Sequence, residues 1–224
     1  LMHGTGLFTA IGTLAQGGTI LTLTGASFDA KECLEAITRW QATNLAIVGD
    51  AFAKPLLAEL DANGNTYDVS SLLGMLSSGV MWSMEVKQGL LRHNVNMVLT
   101  DSFGASEAVG FGRSDTTAAG TVETARFVLG EHCKVFTEDF REVKAGDPEP
   151  GFIARGGAIP LGYFKDDEKT KKTFPIIDGA RYSMPGDWVR VEADGTLVLL
   201  GRGSVCINTA GEKVYPEEVE ETLK

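Results

Sequence analysis

The sequence has 224 residues, 43% of them hydrophobic and 22% charged, with a net charge of −10. That is enough chain for one large domain or two small ones, and too apolar for a disordered segment. No apolar run approaches the roughly 20 residues that a membrane-spanning helix needs. The acidity argues against nucleic-acid and anionic-membrane partners, while leaving room for a local basic pocket holding one small anion. Three cysteines, Cys33, Cys133 and Cys206, form no Cys-x-x-Cys pair, and three histidines, His3, His93 and His132, form no His-x-x-x-His pair. A disulfide scaffold and a histidine-built metal site are therefore not expected, and reduced cytosolic thiols are.

Taken in order, residues 7–14 suit a helix and residues 19–23 alternate like a strand. Asp29 caps a helix running to Trp40, with Cys33, Leu34, Ile37 and Trp40 at helical spacing. Residues 44–48 read as a buried strand, 51–60 as a helix ending near Asn63-Gly64, and 72–76 as an apolar run leading into Ser77-Ser78-Gly79. A helix over 82–91 and a strand over 95–99 follow. This alternation predicts an α/β layer with a largely parallel sheet over residues 1–120.

Beyond residue 121 the pattern changes to short strands and tight turns. Asp194-Gly195 between two apolar alternating runs signals a hairpin, and 166–173 suits a short exposed helix. Residues 121–200 are expected to form an antiparallel, barrel-like subdomain. Residues 201–210 read as a hinge and 211–224 as the start of another unit, with Pro216 opening a helix. The chain opens and closes inside patterned segments, which reads as a fragment.

Three segments carry chemistry. Thr100-Asp101-Ser102-Phe103-Gly104-Ala105-Ser106-Glu107 follows a strand expected to end near Leu99. Phe103 offers a ring for stacking on a base, Gly104 close backbone approach, Ser106 a donor for a phosphate oxygen, and Glu107 an oxygen ligand for a hard cation such as Mg²⁺. The same octapeptide also reads as a plain hairpin with an ordinary exposed glutamate. In Tyr182-Ser183-Met184-Pro185-Gly186-Asp187, a Pro-Gly turn sets Asp187 at a strand entrance, where a carboxylate can accept from a ribose diol; a turn aspartate serving its own backbone is the plain alternative. Arg202, in Gly201-Arg202-Gly203-Ser204, offers a planar donor fork or a surface ion pair.

In order and spacing these segments resemble the acyl-adenylate-forming synthetases, the superfamily of acyl-CoA synthetases, firefly-luciferase-like enzymes and peptide-synthetase adenylation domains. Residues 101–107 resemble its aromatic-Gly-x-Thr-Glu segment, with Phe103 and Ser106 standing for tyrosine and threonine. Residues 182–187 resemble Tyr-x-Thr-Gly-Asp, with Met184-Pro185 departing from it. Residues 201–218 resemble the Gly-Arg-x-Asp hinge followed by Gly-x-x-Val-x-Pro-x-Glu-Val-Glu, with Ser204 and Asn208 departing. Ser77-Ser78-Gly79 fits the adenine wall, and residues 157–164 fit the segment ending in Gly162-Tyr163. The nearest flavour is the actinobacterial fatty-acid and steroid-side-chain CoA ligases.

The resemblance implies an AMP-forming acyl-CoA synthetase acting on ATP, coenzyme A and a fatty or bulky hydrophobic carboxylic acid, with Mg²⁺ bound at Glu107. Phe103 would stack on the adenine and Asp101 meet its exocyclic amine, with Ser78, Gly79, Ser102 and Gly104 also binding the nucleotide, Asp187 and Arg202 holding the ribose, and Ser106 and Glu107 serving the phosphate and the cation as catalytic residues together with His3. His3 would gate the acyl tunnel and Gly211 line the pantetheine path. Alternatives are a fatty-acyl-AMP ligase that hands its product to a carrier protein, and a non-catalytic nucleotide-binding relative. A cytoplasmic protein, with homodimerisation common among relatives, is implied as well. The Ser/Thr/Gly-rich phosphate loop ending in Pro-Lys and the late adenylation lysine do not occur in this sequence, so the chain by itself is expected to be inactive.

Overall fold

The computed structural model describes residues 3–80, 82–120, 126–202, 207–209 and 212–214. The chain divides into two compact units, Leu1–Ser102 with Ser114–Thr124, and Phe103–Arg113 with Ala125–Lys224. The expected hinge residue Ser204, Gly211 and the helix expected at Pro216 lie outside the described residues.

The first unit opens with α1 (Gly4–Ala15), whose N-cap His3 accepts from the Thr5 N–H through Nδ1. Helix α2 (Ala30–Trp40) starts where Asp29 accepts from the Glu32 N–H, satisfying one of the orphan donors of the first turn. Cys33, Leu34 and Ile37 form its buried face. Trp40, expected on that face, is instead 60% exposed, with the Arg39 guanidinium 5.2 Å from the centre of its ring. The expected strand over 19–23 does not form: the stretch has no strand assignment and Leu21 is exposed. Alternation alone cannot make a strand without a neighbour to pair with.

Three parallel strands follow, β1 (Asn44–Ile47), β2 (Gly74–Ser78) and β3 (Val98–Ala105), with β2 between the other two. They are connected by α3 (Asp50–Asn63) and α4 (Met84–His93). Met75 and Leu99 from the strands join Leu56, Trp82 and Leu90 in one core. Cys33 lies in this core, and burial pushes its thiol up to about 11, which leaves it inert as a nucleophile at neutral pH.

Strand β3 does not stop near Leu99. It runs on to Ala105, turns tightly at Ser106-Glu107 and returns as β4 (Ala108–Thr116). In the second unit, β4 pairs with β5 (Arg126–Leu129), and onward through β11 (Leu197–Arg202), β10 (Asp187–Val191), β7 (Gly151–Arg155) and β6 (Cys133–Phe136), every neighbour antiparallel. The antiparallel expectation holds, but among the described residues the order is open-ended at β6, so the sheet is not a closed barrel. The Asp194-Gly195 hairpin forms as expected, pairing Val191 with Leu197, and Gly195 takes the φ of +82° that its turn requires. Helix α5 (Asp167–Thr173) is capped by Asp166, which accepts from the Lys169 N–H, and the short strands β8 (Ile176–Ile177) and β9 (Ala180–Arg181) pair antiparallel with each other.

Leu99 tests the first core. Its side chain is fully buried on the strand that carries most of the candidate site. Leu99→Ala is expected to cost roughly 2–5 kcal/mol in chemical denaturation; a loss under about 1 kcal/mol would mean that the sheet is not packed as described.

Candidate functional site

In the first unit, the candidate residues gather at the C-terminal ends of the parallel strands, where open α/β sheets place their ligands. Ser77 lies beside Asp101 and Ser78 beside Ser102 across the β2–β3 ladder. Ser77 is fully buried and its Oγ accepts from the Gly49 N–H at 2.9 Å, tying the end of β1 to that of β2. Gly79 follows with φ +91°, and a Cβ there would lie 3.1 Å from His3 Cε1. A glycine is thus required both by the backbone and by the His3 ring beside it. The His3 ring is itself already engaged as a helix cap.

Asp101 has a partner that sequence reading missed. Lys87, on the buried face of α4 and 2% exposed, forms a short ion pair with the Asp101 carboxylate. The lysine Nζ also lies 5.6 Å from the centre of the Trp82 ring. Burial pushes the Asp101 carboxyl above its usual value, against the pull of Lys87. The signal was present: Val86, Lys87, Leu90 and Leu91 share one helical face, and a lysine among apolar residues on such a face needs a counter-charge. Beyond Asp101, Thr100 Oγ1 donates to Asp115 Oδ1 at 2.7 Å.

In the second unit, the β3–β4 hairpin presents Ser106, exposed, and Glu107, half-buried, at its tip. Tyr163 Oη donates to Glu107 Oε1 at 2.5 Å. Burial, and then this bond, push the phenol above its usual value. Phe103 is placed differently from a stacking platform. Its ring is 8% exposed and sits 5.3 Å from both Phe111 and Phe127 in the core. Gly104 does permit a close approach, but to β4: a Cβ there would lie 3.0 Å from the Gly110 N.

Asp187 opens β10 and is 4% exposed. Its register partner on β11 is Arg202, so the two residues expected at the ribose lie directly opposite on paired strands. Tyr182, from the same segment, packs edge-on against Phe136 with centroids 5.1 Å apart. Among the described residues no three His, Cys, Asp or Glu side chains cluster as a metal site.

The AMP-binding enzyme family model matches residues 1–164. The chain belongs to the AMP-binding enzyme family. It is 45% identical over 205 residues to a medium/long-chain-fatty-acid–CoA/3-oxocholest-4-en-26-oate–CoA ligase of Mycobacterium marinum, covering 91% of this chain and 37% of the relative. It is 39% identical to a 3-oxocholest-4-en-26-oate–CoA ligase of Rhodococcus rhodochrous, covering all of this chain and 41% of the relative. This family member thus spans about two fifths of the curated relatives it matches. Its fold matches the O-succinylbenzoate coenzyme A synthetase of Bacillus subtilis in complex with ATP and magnesium ion, with a TM-score of 0.78 at 21% identity over 97% of this chain and 43% of that one. No helix among the described residues is long and apolar enough to cross a membrane.

The Lys87–Asp101 pair sets a stability test. Lys87→Met leaves the Asp101 carboxylate buried without its counter-charge and is expected to cost about 3–5 kcal/mol, with most of that restored in Lys87→Met/Asp101→Asn. Equilibrium denaturation of the three proteins checks it. A single variant as stable as the parent would show that the pair is not held as described.

Proposed function

We propose that this chain is part of an AMP-forming acyl-CoA ligase for fatty acids or bulky hydrophobic acids. The observation that carries the reading is 45% identity to a ligase named for medium- and long-chain fatty acids and for a steroid acid. The site residues support it. In this reading the acid's carboxylate attacks the α-phosphate of ATP, forming acyl-AMP and releasing pyrophosphate. The thiol of coenzyme A then attacks the acyl carbon and AMP leaves, giving the thioester.

Catalysis of this kind rests on positioning and on charges fixed before the reaction. Asp187 would accept from the ribose hydroxyls, with Arg202 opposite it. Asp101, held by Lys87, and Ser102 would meet the adenine edge, while Ser78 and Gly79 wall it. Phe103, with its ring in the core, would contribute a rigid backdrop to the base rather than a free ring. Gly104 would keep the strand close to β4 so that Ser106 reaches a phosphate oxygen. Glu107 would hold Mg²⁺, whose charge would offset that of the phosphates. His3 would stand at the acyl tunnel beside Gly79, and Gly211 would line the pantetheine path. A cytoplasmic homodimer completes the proposal on family resemblance.

The test is acid-dependent ATP–pyrophosphate exchange by the complete reading frame, run with short-, medium- and long-chain fatty acids and a steroid carboxylic acid. Exchange is expected with one of the hydrophobic acids, with thioester formed only when coenzyme A is added. Glu107→Gln is expected to lower the exchange rate by about 10². A folded protein that binds ATP but exchanges with no acid would contradict the proposal. Acyl-AMP made without thioester in the presence of coenzyme A would redirect it to a carrier-protein ligase.

A further inference from the structure

A glutamate at the tip of a two-residue turn has several side-chain rotamers, and only some would aim its carboxylate at one place. In this chain the choice is made by a residue 56 positions away: Tyr163 Oη donates to Glu107 Oε1. The tyrosine is fixed from several sides. Its backbone N–H donates to Thr170 Oγ1 at 2.9 Å, and that hydroxyl donates onward to the Asp166 carbonyl at 2.7 Å. Gly162 makes this possible, because a Cβ there would lie 2.8 Å from Thr170 Oγ1. Lys169 Nζ sits 4.0 Å from the centre of the phenol ring, and the Phe174 ring packs at 5.9 Å. The short helix α5 thus grips Tyr163 by its backbone and by its ring, leaving the hydroxyl as the one part that reaches across to the hairpin.

A phenol that donates to one carboxylate oxygen takes up one of its lone pairs and restrains the group from rotating. The second oxygen keeps its lone pairs. We propose that Tyr163 is a positioning residue for Glu107: it pins Oε1 and so leaves Oε2 to serve the divalent cation that accompanies the nucleotide. The inference rests on the reading of Glu107 as the cation's carboxylate. It gives the Gly162-Tyr163 segment and Thr170 a shared purpose, which is to orient a carboxylate that neither of them adjoins in sequence.

The experiment uses the complete reading frame and Mn²⁺ in place of Mg²⁺. Mn²⁺ affinity at saturating ATP is read from the electron paramagnetic resonance signal of the free ion, and ATP affinity and thermal melting are measured without metal. Tyr163→Phe is expected to weaken Mn²⁺ binding about tenfold, the scale of one hydrogen bond to a charged group, with metal-free ATP affinity and melting unchanged. Combining it with Glu107→Gln is expected to weaken binding no further than Glu107→Gln does alone. If Glu107→Gln loses Mn²⁺ binding while folded Tyr163→Phe keeps it, the Tyr163 proposal is overturned and the role of Glu107 stands. If Glu107→Gln binds Mn²⁺ as the parent does, the role of Glu107 itself is overturned, and that of Tyr163 with it. Should Tyr163→Phe melt early, Thr170→Val decides the matter: it frees the Tyr163 backbone and is expected to weaken Mn²⁺ binding by a smaller factor, and unchanged affinity in the folded protein would overturn the proposal.

Discussion

One strand bears most of the candidate site. β3 carries Asp101, Ser102, Phe103 and Gly104, and its turn into β4 carries Ser106 and Glu107. Its position is set by core burial at Leu99, by the Lys87 ion pair at Asp101 and by the aromatic cluster around Phe103. Moving the strand by one residue would send Leu99 and Phe103 out of their cores and Asp101 away from Lys87, and would turn Thr100, Ser102 and Gly104 to that face instead, since side chains alternate along a strand. Within each unit the packing that stabilises it therefore also positions its own candidate groups, Leu99 those of the first unit and Phe103 those of the second.

A second theme is how an acidic chain holds its buried carboxylates. Asp101 is paired with a lysine buried beside Trp82, Glu107 is bonded by Tyr163, and Asp187 is buried at a strand entrance opposite Arg202. Lys87 holds Asp101 and Tyr163 holds Glu107, and all three carboxylates are at least half-buried. Such groups need little rearrangement when a ligand arrives, and preorganisation of this kind is what electrostatic catalysis draws on.

The parts of the fold governed by local rules were legible in the sequence. The Asp29 cap, the Asp194-Gly195 hairpin, the short helix after Asp166 and the strand–helix alternation of the first unit each follow from a few adjacent residues. What failed depended on a distant partner. Residues 19–23 alternate but have no strand beside them. β3 continues past Leu99 because β2 and β4 pair with it on either side. The Phe103 ring turned inward because Phe111 and Phe127 meet it there. At the site, the residue types and their order stand in the sequence and the apolar face around Lys87 calls for a counter-charge, but which carboxylates Lys87 and Tyr163 meet, 14 and 56 residues away, is set by the fold and by no spacing rule.

The central claim is that the Ser106-Glu107 turn and the Asp187 strand entrance serve one adenylate. The most direct measurement is a crystal structure of the complete protein bound to a stable acyl-adenylate mimic, such as an acyl-sulfamoyl adenosine. The account predicts the ribose hydroxyls within hydrogen-bond distance of Asp187 and the sulfamoyl group within reach of Ser106. A mimic bound with its ribose away from Asp187, or with the turn facing solvent, would contradict it.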